Sequence, residues 1–407
     1  MAEQADVVVV GAGQAGLSVS HELKRQGVSH LVLERGEVGQ TWRGRWDSFC
    51  LVLPNWTLRL PGHHYEGPEP DEYMLRDDVV AFLENYADDF AAPVRSGVAV
   101  HSLERLEGSL RFALGTSEGP IHARSVVLAT GAYQRPHRPA GASQLPAGTA
   151  VFDADSYANP AGLPPGGVLI IGSGQTGCQL AEEIHRAGRE VYLACGRTSW
   201  MPRRLEGRDI IAWLTETPFF EMTLADLPSP VARLAGNPQV SGRDHGHDLN
   251  YRTLATMGVT LLGHFQGADD GHFHFGRDLA ESVAFGDARY ADICNLIRAS
   301  CDRVGRPYPD LPSPSPFLAT DQERLALDRV GSVIFTAGFR PDYASWVGIP
   351  GAFDEWGFPI HVNGQSIVAP GLFFVGVHFL RQRKSSLLFG VGEDAAIVAG
   401  EVAAQPA

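Results

Sequence analysis

Positive charge is in deficit. The chain carries 33 Lys and Arg against 47 Asp and Glu, a formal net charge of −14. That balance argues against nucleic acid or an anionic membrane surface as partner. Cysteine is scarce: Cys50, Cys178, Cys195, Cys294 and Cys301 are scattered, odd in number and free of any C-x-x-C. That excludes a redox-active disulfide of the usual spacing and reads as a reduced, cytoplasmic setting. No apolar run reaches the ~20 residues needed to span a bilayer. The opening MAEQADVVVV has no basic stretch before its apolar run and enters a strand at once, so no secretory leader is expected. The 15 histidines include His245-x-His247 and His272-x-His274, but neither pair has cysteine or carboxylate at ligand spacing, so no metal site is expected. Composition is otherwise that of a globular protein, 44% hydrophobic over 407 residues, enough for one to three domains.

What the chain does have, it has twice. VVVVGAGQAGLSVSHELKRQGVSHLVLERG at 7–36 recurs in outline as VLIIGSGQTGCQLAEEIHRAGREVYLACGR at 168–197. Each copy runs strand, G-x-G-x-x-G, helix, strand. Gly11, Gly13, Gly16 and Gly27 match Gly172, Gly174, Gly177 and Gly188 at one constant offset. One such motif is weak evidence; two in register, each in strand–turn–helix context, predict two dinucleotide sites. In each, the first glycine makes the tight turn, the second lets backbone approach a pyrophosphate, and the third lets helix and strand touch. The helix N-terminus then presents free N–H groups and its positive dipole end to phosphate.

The two copies differ where the second strand ends. The first ends in Glu34, followed by Arg35. A carboxylate there suits a ribose diol and predicts FAD. The second has Cys195 at that position, then Gly196-Arg197, with Arg203 and Arg204 further along in WMPRR. Absence of the acid and presence of a base predict the 2′-phosphate of NADPH, with Arg197 first and Arg203 and Arg204 as further candidate ligands, beside Gln175 and Thr176 of the turn.

The expected fold is α/β, with two Rossmann-like dinucleotide-binding domains and the NADPH domain inserted into the FAD domain. The boundaries read as 1–160 plus 331–407 for FAD and 166–330 for NADPH. Pro/Gly-rich stretches at 136–148 and 159–167 mark the linker. Asp77–Tyr86 is expected as an amphipathic helix, and 94–128 as hairpin-like strands. Residues 205–320 are expected as a partly helical insertion over a substrate region, with helices near Asp209–Leu214 and Ile293–Cys301. VIFTAGF and PGLFFVG are expected to complete the first sheet, ahead of a last helix near Gly392–Ala404.

This layout resembles the flavin-containing monooxygenases, the class B flavoprotein monooxygenases, in a bacterial form. Four places carry the resemblance, which spans the chain except about 205–320. Gly11–Gly16 with Glu34 resembles the family's FAD site, and Gly172–Gly177 with Arg197 its NADPH site. Ala129-Thr130-Gly131 and Thr336-Ala337-Gly338-Phe339 are similar to its two A-T-G turns. Gln40-Thr41-Trp42-Arg43, then RWDSFCLVLPN, resembles its G-G-x-W segment and the strand beneath the flavin. The resemblance implies that Asn55 is the active-site asparagine, and that Thr41, Trp42, Thr130, Gly131, Ala337, Gly338, Gly376 and Gly392 lie along the cofactors. It implies hydride transfer from NADPH to FAD, then O2 activation and oxygenation of a small molecule. Two departures matter. VFDADSY puts Asp153 where the family's linker signature has histidine, which points to oxygenation at N or S rather than ring expansion of ketones. Val377 stands where disulfide-reductase relatives have an aspartate.

Two other readings stay open on the sequence: a flavin reductase passing electrons to a quinone or protein without oxygen insertion, and a non-catalytic FAD-loaded sensor or scaffold. The assembly state is open too, a homodimer included. The basic run Arg381-x-Arg383-Lys384 reads first as a solvated face.

Overall fold

The computed structural model describes residues 2–405. Two sheets organise it. In the first, the all-valine stretch of Glu3–Val10 is buried and lies parallel between His30–Leu33 and Gly119–Leu128. Leu372–Phe374 adds parallel on the far side of Gly119–Leu128. The strands Val100–Arg105 and Phe112–Thr116 hang from that same strand as an antiparallel hairpin, where the alternating pattern foretold one. The second sheet is wholly parallel, in the order Ala150–Asp153, Val330–Phe335, Gly167–Ile171, Val191–Ala194, Thr260–Leu262. Its central strands are apolar without alternation because both faces are covered.

The expected domain boundaries need correcting. Val330–Phe335 does not return to the first sheet; it fills the middle of the second, beside Gly167–Ile171. Ala150–Asp153, expected in the first domain, is an edge of the second. Only Leu372–Phe374 rejoins the first sheet. An apolar strand buried on both faces carries no mark of which sheet it joins. The second unit therefore begins near 150 and ends near 335, nested within the first.

The region 205–320 is also less uniform than expected. Helices form at Ile210–Leu214, Tyr251–Met257 and Leu279–Val304, the last far longer than the Ile293–Cys301 core that announced it. Thr260–Leu262 belongs to the second sheet itself. Phe265–Ala268, His272–Phe275 and Arg324–Ala326 make a small antiparallel sheet. What remains is an arm, about 205–250, that reaches over the first domain. Its aromatic residues Trp213, Phe219 and Phe220 share a core with Val52, Leu53, Trp56, Leu387 and Phe389 of that domain.

Arg203 fastens the arm. It is 1% exposed. Its guanidinium pairs with Asp209 at 2.5 Å, donates to the Val52 carbonyl at 2.9 Å and lies 4.8 Å from the Tyr73 ring centre. Tyr73 closes the group by donating to Asp209 at 2.5 Å. Removing one member of a buried pair strands the other's charge, at about 3–5 kcal/mol. Arg203→Ala should therefore lower the free energy of unfolding by roughly that amount, read as a shift in the urea midpoint. A shift within error of wild type would show that the arm is held by its aromatic contacts alone.

Candidate functional site

The two glycine-rich turns are built alike. Gly11 (φ +106°) and Gly172 (φ +110°) take a backbone conformation that side chains oppose. A Cβ on Gly16 would lie 1.8 Å from the Gly11 carbonyl oxygen, and one on Gly177 would lie 1.9 Å from that of Gly172. By contrast, a Cβ on Gly13 or Gly174 would meet nothing within 4 Å. The middle glycine thus faces open space in both copies. The helices Gln14–Arg25 and Gln175–Arg186 start there with no side-chain cap, so their first N–H groups remain for a ligand.

Each turn rests on an A-T-G turn. The Cβ direction of Gly11 points at the Ala129 carbonyl, and that of Gly172 at Thr336–Ala337. These A-T-G turns are also where the chain changes domain. After Gly131 it leaves through Arg135–Pro136, and after Gly338 it returns through Phe339–Arg340; the two linkers pair antiparallel. Gln134 Nε2 donates to Thr130 Oγ1 (2.9 Å) and to the Gly131 carbonyl (2.6 Å), and Tyr343 also donates to that carbonyl (2.7 Å). Thr130, Gly131, Ala337 and Gly338 therefore converge at one crossover between the sheets, at the carboxyl ends of the strands, where open α/β sheets bind ligands.

Glu34 is buried at the end of its strand. It accepts from the Ala12 N–H (2.8 Å) and the Gly36 N–H (3.0 Å), tying the glycine turn to the next loop and keeping lone pairs for a diol. Arg35 is exposed. Thr41 is exposed on the short helix Gln40–Arg43, while Trp42 donates its indole N–H to Gln14 (3.0 Å). Gln14, which the sequence reading passed over, donates in turn to the Ser386 carbonyl (3.3 Å). That link draws together the first turn, the G-G-x-W segment and the C-terminal loop. Gly376 (φ +78°) lets the chain pass the first helix; a Cβ there would lie 2.5 Å from that of Ala15.

In the second copy, Arg197 is exposed. Gln175 is occupied by the arm, pairing with both backbone polar atoms of Val240 (2.7 and 3.1 Å); Thr176 is half-buried in the first turn of the helix. Gln239 of the arm reaches the Ser173 carbonyl, so the arm lies along the turn. Beyond Arg197, the loop packs on the long helix Leu279–Val304. Gly286 there leaves room for the Thr198 carbonyl, and Trp200 stacks on Tyr290 at 4.4 Å and donates to Asp287 (3.0 Å).

Two expectations change. Arg203 is no phosphate ligand, being buried against Asp209 as described. Arg204 spends its guanidinium on the carbonyls of His245 (2.6 Å) and Gly246 (2.8 Å). Neighbours in sequence, both arginines were drawn to arm contacts that only the tertiary structure creates. At Gly392, a Cβ would meet Pro61 at 3.1 Å, so the missing side chain lets the last helix lie close to that proline. Asn55 is buried with its amide in use: it donates to the Glu69 carbonyl (3.0 Å) and accepts from the Met74 N–H (2.8 Å). Those bonds hold the 69–74 loop, as turn chemistry also allowed.

Residues 8–223 match the family described as pyridine nucleotide-disulphide oxidoreductase, just over half of the chain. The chain belongs to that family. Flavin and a pyridine nucleotide are that family's cofactors, and the protein is a flavin-dependent oxidoreductase. The two uncapped helix starts, each with an open middle glycine, fit a pyrophosphate in each turn. All five cysteines are free and buried. An uncharacterized oxidoreductase CzcO-like from Geobacillus kaustophilus is 29% identical over 402 residues, 98% of each chain. Indole-3-pyruvate monooxygenase YUCCA4 from Oryza sativa subsp. japonica is 30% identical over 196 residues, 44% of each. A flavin-containing monooxygenase from Stenotrophomonas maltophilia shares the fold, with a TM-score of 0.66 and 20% identity over 98% of each chain. The resemblance to flavin-containing monooxygenases thus extends beyond the motifs to the whole fold.

The glycines separate folding from binding. Gly13 has extended backbone (φ −85°, ψ −171°) that any residue adopts. Gly13→Val should melt within about 2–4 °C of FAD-free wild type, as a surface change does in a large domain, yet gain no flavin absorbance near 450 nm when FAD is supplied. Gly16→Ala should yield no soluble folded protein. A yellow Gly13→Val protein would show that the dinucleotide does not lie over that turn.

Proposed function

We propose that this protein is an NADPH-dependent flavin monooxygenase that oxygenates a small molecule at nitrogen or sulfur. The observation that carries the reading is the apolar arm. Trp213, Phe219 and Phe220 close over Val52, Leu53 and Trp56, the segment expected beneath the flavin, and over Leu387 and Phe389 of the C-terminal loop. Phe220 meets Phe389 edge-on at 4.9 Å. Oxygen insertion needs water kept from a reactive oxygen species, and a reductase serving a protein or quinone needs an open face. FAD held there would supply the hydride-accepting and oxygen-activating chemistry.

The chain's own residues supply the rest. Glu34 and the first helix hold FAD; Arg197 and the second helix hold NADPH. The arm excludes solvent. Asp153, at the position of the family's linker histidine, forms a bidentate pair with Arg138 (2.9 and 2.6 Å), which also lies 5.1 Å from the Phe335 ring centre. This engaged acid offers no imidazole N–H to the crossover, in keeping with N- or S-oxygenation over ketone ring expansion. The relatives named for indole-3-pyruvate share only half of the chain and leave the substrate open.

Coupling tests the reaction. A panel of amines and thioethers should contain a compound that gives oxygenated product in step with NADPH consumed, while simple ketones should give mainly hydrogen peroxide. Ester formed efficiently from a ketone would overturn the N/S assignment. NADPH oxidised without any oxygenated product, but with rapid quinone reduction, would favour the reductase. Coenzyme choice has its own test. A charge-assisted contact to phosphate is worth about 1.5–3 kcal/mol, or ten- to a hundredfold. Arg197→Ala should raise KM for NADPH by that factor and leave NADH nearly unchanged. Equal losses for both coenzymes would assign Arg197 a structural role.

A further inference from the structure

The second site lacks the acid that pins the first, and something else must do its structural work. In the first copy the Glu34 carboxylate gathers the N–H of Ala12, inside the glycine turn, and the N–H of Gly36, in the loop after the strand. The corresponding residues in the second copy are Ser173, Cys195 and Arg197. Cys195 is buried and bonds back to the Leu193 carbonyl of its own strand. It cannot bridge turn and loop.

A closed ring of hydrogen bonds takes its place. The Gly196 N–H donates to Ser173 Oγ (2.9 Å). The Tyr251 hydroxyl donates to the Gly196 carbonyl (2.6 Å), and the hydroxyls of Ser173 and Tyr251 lie 2.5 Å apart. Because tyrosine has one proton and the carbonyl takes it, the serine proton must point to the tyrosine oxygen. Every donor in the ring meets one acceptor. Both backbone polar atoms of Gly196, the residue before Arg197, are held from within the fold. Ser173 is 3% and Tyr251 5% exposed, so water does not compete. Asn250 caps the helix Tyr251–Met257 by accepting from the N–H groups of Arg252 (2.9 Å) and Thr253 (3.1 Å), which fixes the start of the helix bearing Tyr251. The ring is uncharged, and burial pushes the Tyr251 hydroxyl well above its usual pKa, so it stays uncharged.

We propose that Ser173 and Tyr251 are the positioning residues for 2′-phosphate recognition: a neutral pin that replaces a carboxylate, joins turn to loop, and presents Arg197 without placing negative charge beside the phosphate. The inference rests on the reading of Arg197 given above. A carboxylate pin would do the same mechanical work and repel the ligand. Two hydroxyls from distant segments avoid that conflict.

Binding of adenosine 2′,5′-bisphosphate and of 5′-AMP to the FAD-loaded protein, measured by calorimetry, tests the pin without turnover. Tyr251→Phe breaks the ring and should weaken the bisphosphate about tenfold while changing 5′-AMP less than about twofold. Ser173→Ala opens the same ring at the other hydroxyl and should do the same, which keeps the test available if one variant folds poorly. In an Arg197→Ala background, Tyr251→Phe should add nothing further to bisphosphate binding, because the pin acts through that arginine. Equal weakening of both nucleotides, unchanged bisphosphate binding, or full additivity with Arg197→Ala would overturn the proposal. Wild-type protein that binds the bisphosphate no more tightly than 5′-AMP would instead refute the coenzyme reading beneath it, and the pin with it.

Discussion

In each half of this protein, a helix crosses its own strand with no side chain between them. Gly16 lies against the Gly11 carbonyl and Gly177 against that of Gly172, with space for not even a methyl group. That contact sets where the helix begins and so where its free N–H groups point. It brings the first glycine of each turn onto an A-T-G turn, Ala129–Gly131 in one half and Thr336–Gly338 in the other. Because those turns are also the points at which the chain changes domain, cofactor geometry and domain connection share one joint. The paired linkers Arg135–Pro136 and Phe339–Arg340 are the physical form of that joint.

The arm from the second domain couples the halves differently. Its hold on the first domain is partly apolar, through Phe219, Phe220 and Trp213, and partly one buried guanidinium, Arg203. A charge so buried must be paired, and its partners come from three segments: Asp209, the Val52 carbonyl and the Tyr73 ring. The basic run near the C-terminus is used in the same manner. Arg381 pairs with Asp394 at 2.9 Å and Lys384 with Glu393 at 2.6 Å. Arg383 slots against the rings of Phe219 and Phe379, where burial lowers its pKa to about 10. A run that reads as a solvated face is spent in part on the last helix, through Arg381 and Lys384, and in part on the arm, through Arg383 on Phe219 and Lys384 beside Glu221 at 3.5 Å.

The electrostatic contrast between the two sites is local and small in residue count. One carboxylate, Glu34, pins its turn and loop. Its counterpart is split between hydroxyls that pin and an arginine free to face solvent.

The sequence by itself determined whatever depends on neighbours along the chain. Paired G-x-G-x-x-G turns, the acid at Glu34, its absence at Cys195 and the valine-rich strands are readable because each is a local requirement of turn geometry, helix start or burial. The hairpin at 100–128 and the helix over 76–89 were legible for the same reason. Only the tertiary structure decided the rest. Val330–Phe335 joined the second sheet because an apolar run specifies burial but not its partner. Arg203 and Arg204 turned from a phosphate to the arm because carbonyls and a carboxylate from distant segments met them first. Asn55 gave its amide to the 69–74 loop. Tyr251 carries no motif at all; its place against Ser173 exists only once the helix at 251–257 has packed beneath the second turn. Contacts across long sequence separations are chosen by the packing of whole elements, and no single stretch of sequence records them.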